Sequence, residues 1–420
     1  MMSDDDMLAR PPAGLPATLP AAASRRVGRA MRALVLAAAS GLLAACGGVS
    51  EAPPTAAIPN TPATVENPQP ANAIGTGSVR IGLILPLGAS GNAALAAQAL
   101  RNAAEMAVNE FPGGDVQILV KDDAGTSQGA QAAATQAIDE GAKAIIGPLF
   151  SHTVAAAGQV ARSRNVPLVG FSTDTNVAAR GVYLLSFLPQ TDVERAVRYA
   201  AAKGRRAFVA LLPDNAYGSV VEGAFREAVP AAGGRVVGIE RYPTNGSGYA
   251  DAAKRIAASA QQADAVFLPD SAEVVPQLVQ ALAAAGAPVA GKQLIGTGLW
   301  DDPRMFALPS MAGGIFAAPD PAGYRAFSER YRARYGRDPV RTATLAHDGV
   351  SLMAAIVKTR GAMGITDEAI ETPSGFSGVD GVFRFRSDGT NQRGLAVMEI
   401  GNGSARIVDP APRSFGGTGL

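Results

Sequence analysis

The chain has 420 residues, 47% hydrophobic and 17% charged, and its 37 Lys and Arg against 36 Asp and Glu give a formal net charge of +1. That balance offers nucleic acid no broad basic face, and 5% aromatic residues supply few stacking platforms. One cysteine and two histidines leave no material for a structural disulfide or a zinc cluster.

The N-terminal segment reads as an address. Arg25, Arg26, Arg29 and Arg32 form a positive region, residues 33–45 an apolar one, and Ala44-Ala45 precede the lone Cys46. The apolar run is shorter than the about 20 residues a bilayer span needs. Residues 1–45 therefore read as a lipoprotein signal peptide, with Met31 as an alternative start that leaves a compact signal. Cys46 is expected to be the lipidated N-terminus, so the membrane is a partner through its lipid anchor. By resemblance to bacterial lipoproteins, Gly47 in place of an aspartate after the cysteine implies the periplasmic side of the outer membrane. Residues 46–77, rich in Pro, Ala, Thr and Asn, read as a disordered linker spanning about 30 Å as a coil or about 95 Å when extended.

The body from residue 78 is long enough for two domains and a substantial core. Val79-Arg80-Ile81-Gly82-Leu83-Ile84-Leu85 reads as a strand, followed by a helix over 94–110 capped by Asn92, with Leu95, Ala99, Ala103, Met106 and Ala107 on one apolar face. The unit repeats with strands at 116–120, 144–146, 166–171, 207–212, 236–242, 265–268 and 293–295. Strands apolar throughout and separated by helices predict parallel sheets covered on both faces, too many for one sheet. In such sheets ligands bind beyond the carboxyl ends of the strands. Those positions are polar here, and the candidate cleft residues are Ser90, Ser151, His152, Thr153, Ser172, Thr173, Asp174, Tyr217, Asp270, Ser271, Trp300 and Asp301. Each loop taken alone also reads as a helix cap; Trp300 reads equally as a cleft wall or as a packed cap.

Ile81-Gly82-Leu83-Ile84-Leu85-Pro86-Leu87, Asp122-Asp123-Ala124, Ile145-Ile146-Gly147-Pro148-Leu149-Phe150-Ser151, Asp214-Asn215-Ala216-Tyr217-Gly218 and Ala346-His347-Asp348, in this order, resemble the type 1 periplasmic binding proteins of the leucine/isoleucine/valine-binding class. The resemblance implies an α/β fold of two Rossmann-like lobes joined by three crossovers, with a small ligand between them. The crossovers are expected near Leu188, Ala318 and Ser377, giving lobe one as 78–188 plus 318–377, lobe two as 189–317 plus 378–410, and a tail over 411–420. Residues 381–385 and 395–400, joined through Ser387-Asp388-Gly389, read as a hairpin.

Phe171-Ser172-Thr173-Asp174, Gly296-Thr297-Gly298-Leu299-Trp300-Asp301-Asp302-Pro303, Phe316-Ala317-Ala318-Pro319-Asp320-Pro321 and Gly378-Val379-Asp380-Gly381-Val382-Phe383-Arg384-Phe385 resemble more closely the penicillin-binding protein activator lipoproteins, which regulate peptidoglycan synthesis. That branch implies a penicillin-binding protein as partner; the alternative is an ABC permease, with the chain delivering an amino acid or a related small molecule. Ser151 matches the receptor family's carboxylate-binding serine. Gly298 stands where amino-acid receptors present an ammonium-binding glutamate, and Ser271 replaces their usual aromatic, so the expectation is an altered ligand, such as a wall fragment, or a scaffold for a protein. No cofactor motif and no nucleophile elbow is present, and a Ser151, His152, Asp174 triad is set aside because adjacent residues entering a helix point apart. The expectation is a binding protein and not an enzyme.

Overall fold

The computed structural model describes residues 72–401 and 403–416. The signal, Cys46 and almost all of the linker lie outside the described residues. No described helix is long and apolar enough to cross a membrane.

The first sheet is built from β1 (Ala73–Ile74), β2 (Val79–Leu85), β3 (Val116–Asp122), β4 (Ile145–Ile146), β5 (Leu168–Gly170) and β6 (Val182–Leu184), in the order β1-β3-β2-β4-β5-β6. All its pairs are parallel except β1 with β3. The crossover helices are α1 (Gly91–Glu110), α2 (Ser127–Asp139) and α3 (Ser151–Ser163). Strand residues alternate between two apolar layers: Ile81, Leu83 and Leu85 face α1, whereas Ile84 and Ile145 face α2 and α3. Ala97, Ala103, Ala104 and Ala107 let α1 lie close to the sheet and its neighbour. Leu95, expected on that buried face, is 58% exposed, and the helix starts at Gly91 with Ser90 as N-cap, so Asn92 lies inside it.

The second sheet contains β7 (Ala207–Pro213), β8 (Arg235–Tyr242), β9 (Ala265–Phe267), β10 (Gln293–Ile295) and β11 (Ile315–Ala318). Its helices are α4 (Pro189–Ala202), α5 (Ala216–Ala231), α6 (Tyr249–Gln261), α7 (Val275–Ala284) and the short α8 (Pro303–Phe306). The chain then returns to the first lobe through α9 (Pro321–Tyr335) and α10 (Ala343–Arg360), which pack on α1.

The closing segment departs from the expected hairpin. β12 (Phe376–Gly378), β13 (Gly381–Phe385) and β14 (Asn391–Arg393) make their own antiparallel sheet, whereas β15 (Ala396–Ile400) and β16 (Ala405–Asp409) add to the second sheet, giving β16-β15-β11-β10-β9-β7-β8. The partner of 381–385 is thus 391–393, not 395–400. Phe383 and Phe385 explain why: both are buried in the first lobe's core, with the Phe385 ring 5.3 Å from that of Tyr183. The Leu184 N–H, donating to Gly389 O at 2.8 Å, ties the turn to the same lobe. The last passage between the sheets is therefore at Gly394 and Leu395 rather than near Ser377.

Candidate functional site

Both sheets reverse their strand order once, between β2 and β4 in the first and between β7 and β9 in the second. Such switch points open a crevice at the carboxyl ends of the strands. The passages leaving β6 and β11 also depart from carboxyl ends, so the two crevices are turned toward the same crossing region.

In the first lobe, Gly147 lets the loop after β4 approach β2: its φ is +84°, and a Cβ there would lie 2.2 Å from Ile84 O. That loop delivers Ser151 to the first turn of α3, half-buried and with no hydrogen bond from its hydroxyl to the protein. A helix N-terminus with a free hydroxyl is suited to an anion. His152 is exposed, stacks on Phe150 at 5.8 Å between centroids, and holds Gly125 O at 3.0 Å through Nε2. Thr153 is buried and its hydroxyl is committed to Phe150, donating to the carbonyl at 2.9 Å and accepting the N–H at 3.2 Å. It belongs to the helix cap, not to a cleft.

Ser172 is also buried, accepting the Asp174 N–H at 3.0 Å, while Thr173 is exposed. Asp174 accepts both the backbone N–H (3.0 Å) and the side-chain N–H (2.9 Å) of Asn176, the capping role open to any such loop. With His152 and Asp174 committed to these partners, no Ser-His-Asp relay is assembled. Ser90 is exposed at the start of α1, its hydroxyl making no cap. Asp122 bridges the neighbouring loops by accepting from Gly88 N at 3.0 Å and Ala124 N at 2.8 Å.

The second lobe offers acids. Tyr217 is half-buried, its hydroxyl 2.7 Å from Thr297 Oγ1, and burial pushes the phenol above its ordinary range, so it stays neutral. Asp270 accepts from Tyr242 at 2.6 Å and from Ser271 N at 2.7 Å; Ser271 is half-buried. Asp301 is exposed, and no hydrogen bond ties its carboxylate. Trp300 is not a cleft wall: it is fully buried in the second lobe's core and donates from Nε1 to Leu268 O at 3.1 Å. A Cβ at Gly296 would lie 2.1 Å from its indole, so the Gly296-Thr297-Gly298-Leu299-Trp300 run is shaped by packing.

Sequence reasoning missed Asp192. It stands in the first turn of α4, where Pro189 and an acid read only as a helix start. Its Oδ2 accepts the Gly298 N–H at 3.0 Å, and a Cβ at 298 would lie 3.1 Å from that oxygen. A carboxylate thus occupies the space that a side chain at 298 would enter, supplied from 106 residues away. Burial raises its pKa from 3.8 to about 7, opposed by the Gly298 N–H and by the charge of Arg393. Arg393 is 4% exposed, donates to Ser186 O at 3.0 Å and lies 4.6 Å from the Phe187 ring. Arg341 lies over the same ring at 4.6 Å and grips buried Asp380 with both Nη atoms, at 3.0 and 2.6 Å. These groups line the crossings and were invisible as a cluster because their sequence separation is so large. Among the described residues, no group of three or more His, Cys, Asp or Glu is placed to hold a metal ion.

A family model described as "Periplasmic binding protein" matches residues 78–405. No curated protein matches the chain. Among solved structures, the chain is similar to a branched-chain amino acid ABC transporter periplasmic ligand-binding protein from Burkholderia xenovorans, with TM-score 0.64, 18% identity, and coverage of 81% of this chain and 97% of that one. It is similar to a branched-chain amino acid transporter substrate-binding protein from Streptococcus pneumoniae in complex with isoleucine (TM-score 0.53, 22% identity, coverage 79% and 99%). A solute-binding protein of an ABC transporter from R. palustris in complex with benzoate also matches (TM-score 0.54, 22% identity, coverage 80% and 97%). Proteins whose structures hold ligands as different as isoleucine and benzoate share this architecture, so the ligand must be argued from the side chains.

Proposed function

The chain belongs to the periplasmic binding protein family, and from that premise we propose that it is a lipid-anchored periplasmic receptor for a small zwitterion, an amino acid or a close relative, serving an ABC permease. The observation that carries this reading is Asp192 standing against Gly298. The acid whose loss at 298 argued for an altered cleft is recovered from α4. Asp192, neutral Tyr217 and Asp270 make the second lobe's crevice an acceptor surface for an ammonium, while Ser151 at the start of α3 makes the first lobe's crevice a donor surface for a carboxylate. Opposite polarities on the two lobes match the two ends of a zwitterion. The anchor at Cys46 in the outer membrane and the long linker belong to this proposal as read from the sequence.

Regulation of a peptidoglycan synthase is the second reading, resting on the loop resemblance and on the length of the linker. The packing of Gly296 against Trp300 weakens it, because a core requirement accounts for that part of the loop pattern. Calorimetric titration of the purified chain with amino acids and wall fragments, beside capture of penicillin-binding proteins, separates the two. Saturable amino-acid binding lost in Ser151→Ala supports the receptor. Synthase capture and stimulation with no small-ligand binding supports the regulator and sinks the receptor.

A further inference from the structure

The last strand, β16, ends at Asp409 on the edge of the second sheet, and the chain then turns back toward the first lobe. Ala411 packs on the second lobe's core, whereas Phe415 is only 8% exposed and its ring centre lies 4.6 Å from Cζ of Arg384 on β13. That strand belongs to the first lobe through Phe383 and Phe385. The segment that the sequence assigns to a tail thus spans the crossing region, beside the backbone passages between the lobes.

Both ends of this segment are seated. A Cβ at Gly394, in the last passage between the sheets, would lie 3.0 Å from Pro412 Cγ and 3.1 Å from Pro412 O. Gly375 has a φ of +67°, and a Cβ there would lie 2.9 Å from the Phe415 ring. Glycine at these positions lets the segment lie directly against the passage and against the entry to the small sheet. Arg384 is held ready for the ring: its Nε and Nη2 donate to Gln392 Oε1 at 2.9 and 2.7 Å and its Nη1 to Pro373 O at 3.1 Å, which leaves its flat face to Phe415. At the root, Arg195 of α4 donates from Nε to Leu395 O at 2.9 Å and from Nη2 to Asp409 Oδ2 at 2.7 Å. Pro410 and Pro412 restrict the backbone between these anchors, so little slack remains.

We propose that residues 410–416 form a strap, a non-covalent tie between the lobes that limits how far they turn about the crossings. Lobes joined by short passages move relative to one another unless a packed contact resists it. Phe415 in its seat supplies that resistance: the lobes turn beyond the reach of the strap only when its ring leaves Arg384 and Gly375.

The test measures the distance between two spin labels by pulsed electron resonance, without added ligand. The full chain carries Cys46→Ser, with Gln131→Cys on α2 and Asp251→Cys on α6 as labelling sites, both exposed and on different lobes. Phe415→Ala, and separately a chain ending at Pro410, are expected to shift and broaden the distance distribution. Arg413→Ala, exposed on the strap itself, is expected to keep the parent distribution. Thermal melts show that each variant is folded, and Phe415→Ala carries the test if the shortened chain does not fold. An unchanged distribution in Phe415→Ala overturns the proposal; a rise in hydrogen exchange confined to 376–385 would then make the ring a packing residue of β13 alone. An equal change in Arg413→Ala overturns it too, because the effect would not come from the Phe415 seat.

Discussion

Replacing Asp192 by asparagine separates the cost of a half-buried acid from its use. Burial raises the Asp192 pKa from 3.8 to about 7 in the folded protein. The unfolded chain releases this proton near its ordinary carboxylate pKa, whereas the folded chain resists releasing it until about pH 7. Stability therefore falls as pH rises through that window, by about 4 kcal/mol at most at about 1.4 kcal/mol per tenfold change in acidity. The amide introduced by Asp192→Asn keeps an acceptor for the Gly298 N–H and carries no charge at any pH. The predicted outcome in thermal unfolding without ligand is that the variant and the parent melt alike once the pH is below 3.8, where both chains hold a neutral group, and that the variant's advantage grows as pH rises from there to several degrees at pH 8. Loss of the neighbouring negative charge from Arg393 offsets part of that gain. Parallel stability profiles from pH 5 to 8 would refute the assignment of a strained acid to Asp192.

The same residue sets ligand affinity with the opposite sign. If an ionised Asp192 holds an ammonium, affinity for a zwitterion falls about tenfold between pH 8 and pH 6 in the parent, measured by calorimetry, and is flat in Asp192→Asn. Gly298→Glu, which restores the side chain of amino-acid receptors, is expected to weaken binding, because its first carbon meets Asp192 Oδ2 at 3.1 Å and its charge repels the acid already there. Ser151→Ala should weaken zwitterion binding about tenfold while leaving the melting temperature unchanged, since its hydroxyl holds nothing in the protein. Trp300→Ala should destabilise the chain by about 3–5 kcal/mol in denaturant unfolding, because it empties a buried indole site. Phe383→Ala should lower hydrogen-exchange protection in the first lobe's core and not in the second's, which tests where the chain makes its last passage.

Much of the fold was legible because parallel strands buried on both faces advertise themselves. Residues 79–85, 207–212 and 293–295 are short and mostly apolar, with Arg80 and Gln293 the polar exceptions, and each is a strand or lies within one. The closing segment was misread because alternation reports that a strand has a buried face without reporting whose core it faces; Phe383 and Phe385 chose the first lobe through Tyr183. Leu95 shows the same ambiguity on a helix, where apolar spacing near the N-terminus continued past the edge of the sheet it covers. At the site, helix caps and ligand groups share residue types, so Thr153 and Asp174 were indistinguishable in sequence from Ser151. Asp192 was hidden for the converse reason. An acid in the first turn of a helix has a sufficient local explanation, and only the fold brings it to Gly298.

The most direct test of the central claim is a crystal structure of the chain with a bound amino acid. The account predicts the ligand ammonium within hydrogen-bond reach of Asp192 and the ligand carboxylate at Ser151 and the start of α3. A ligand anchored with neither group, or a carboxylate turned toward the second lobe's acids, would contradict it.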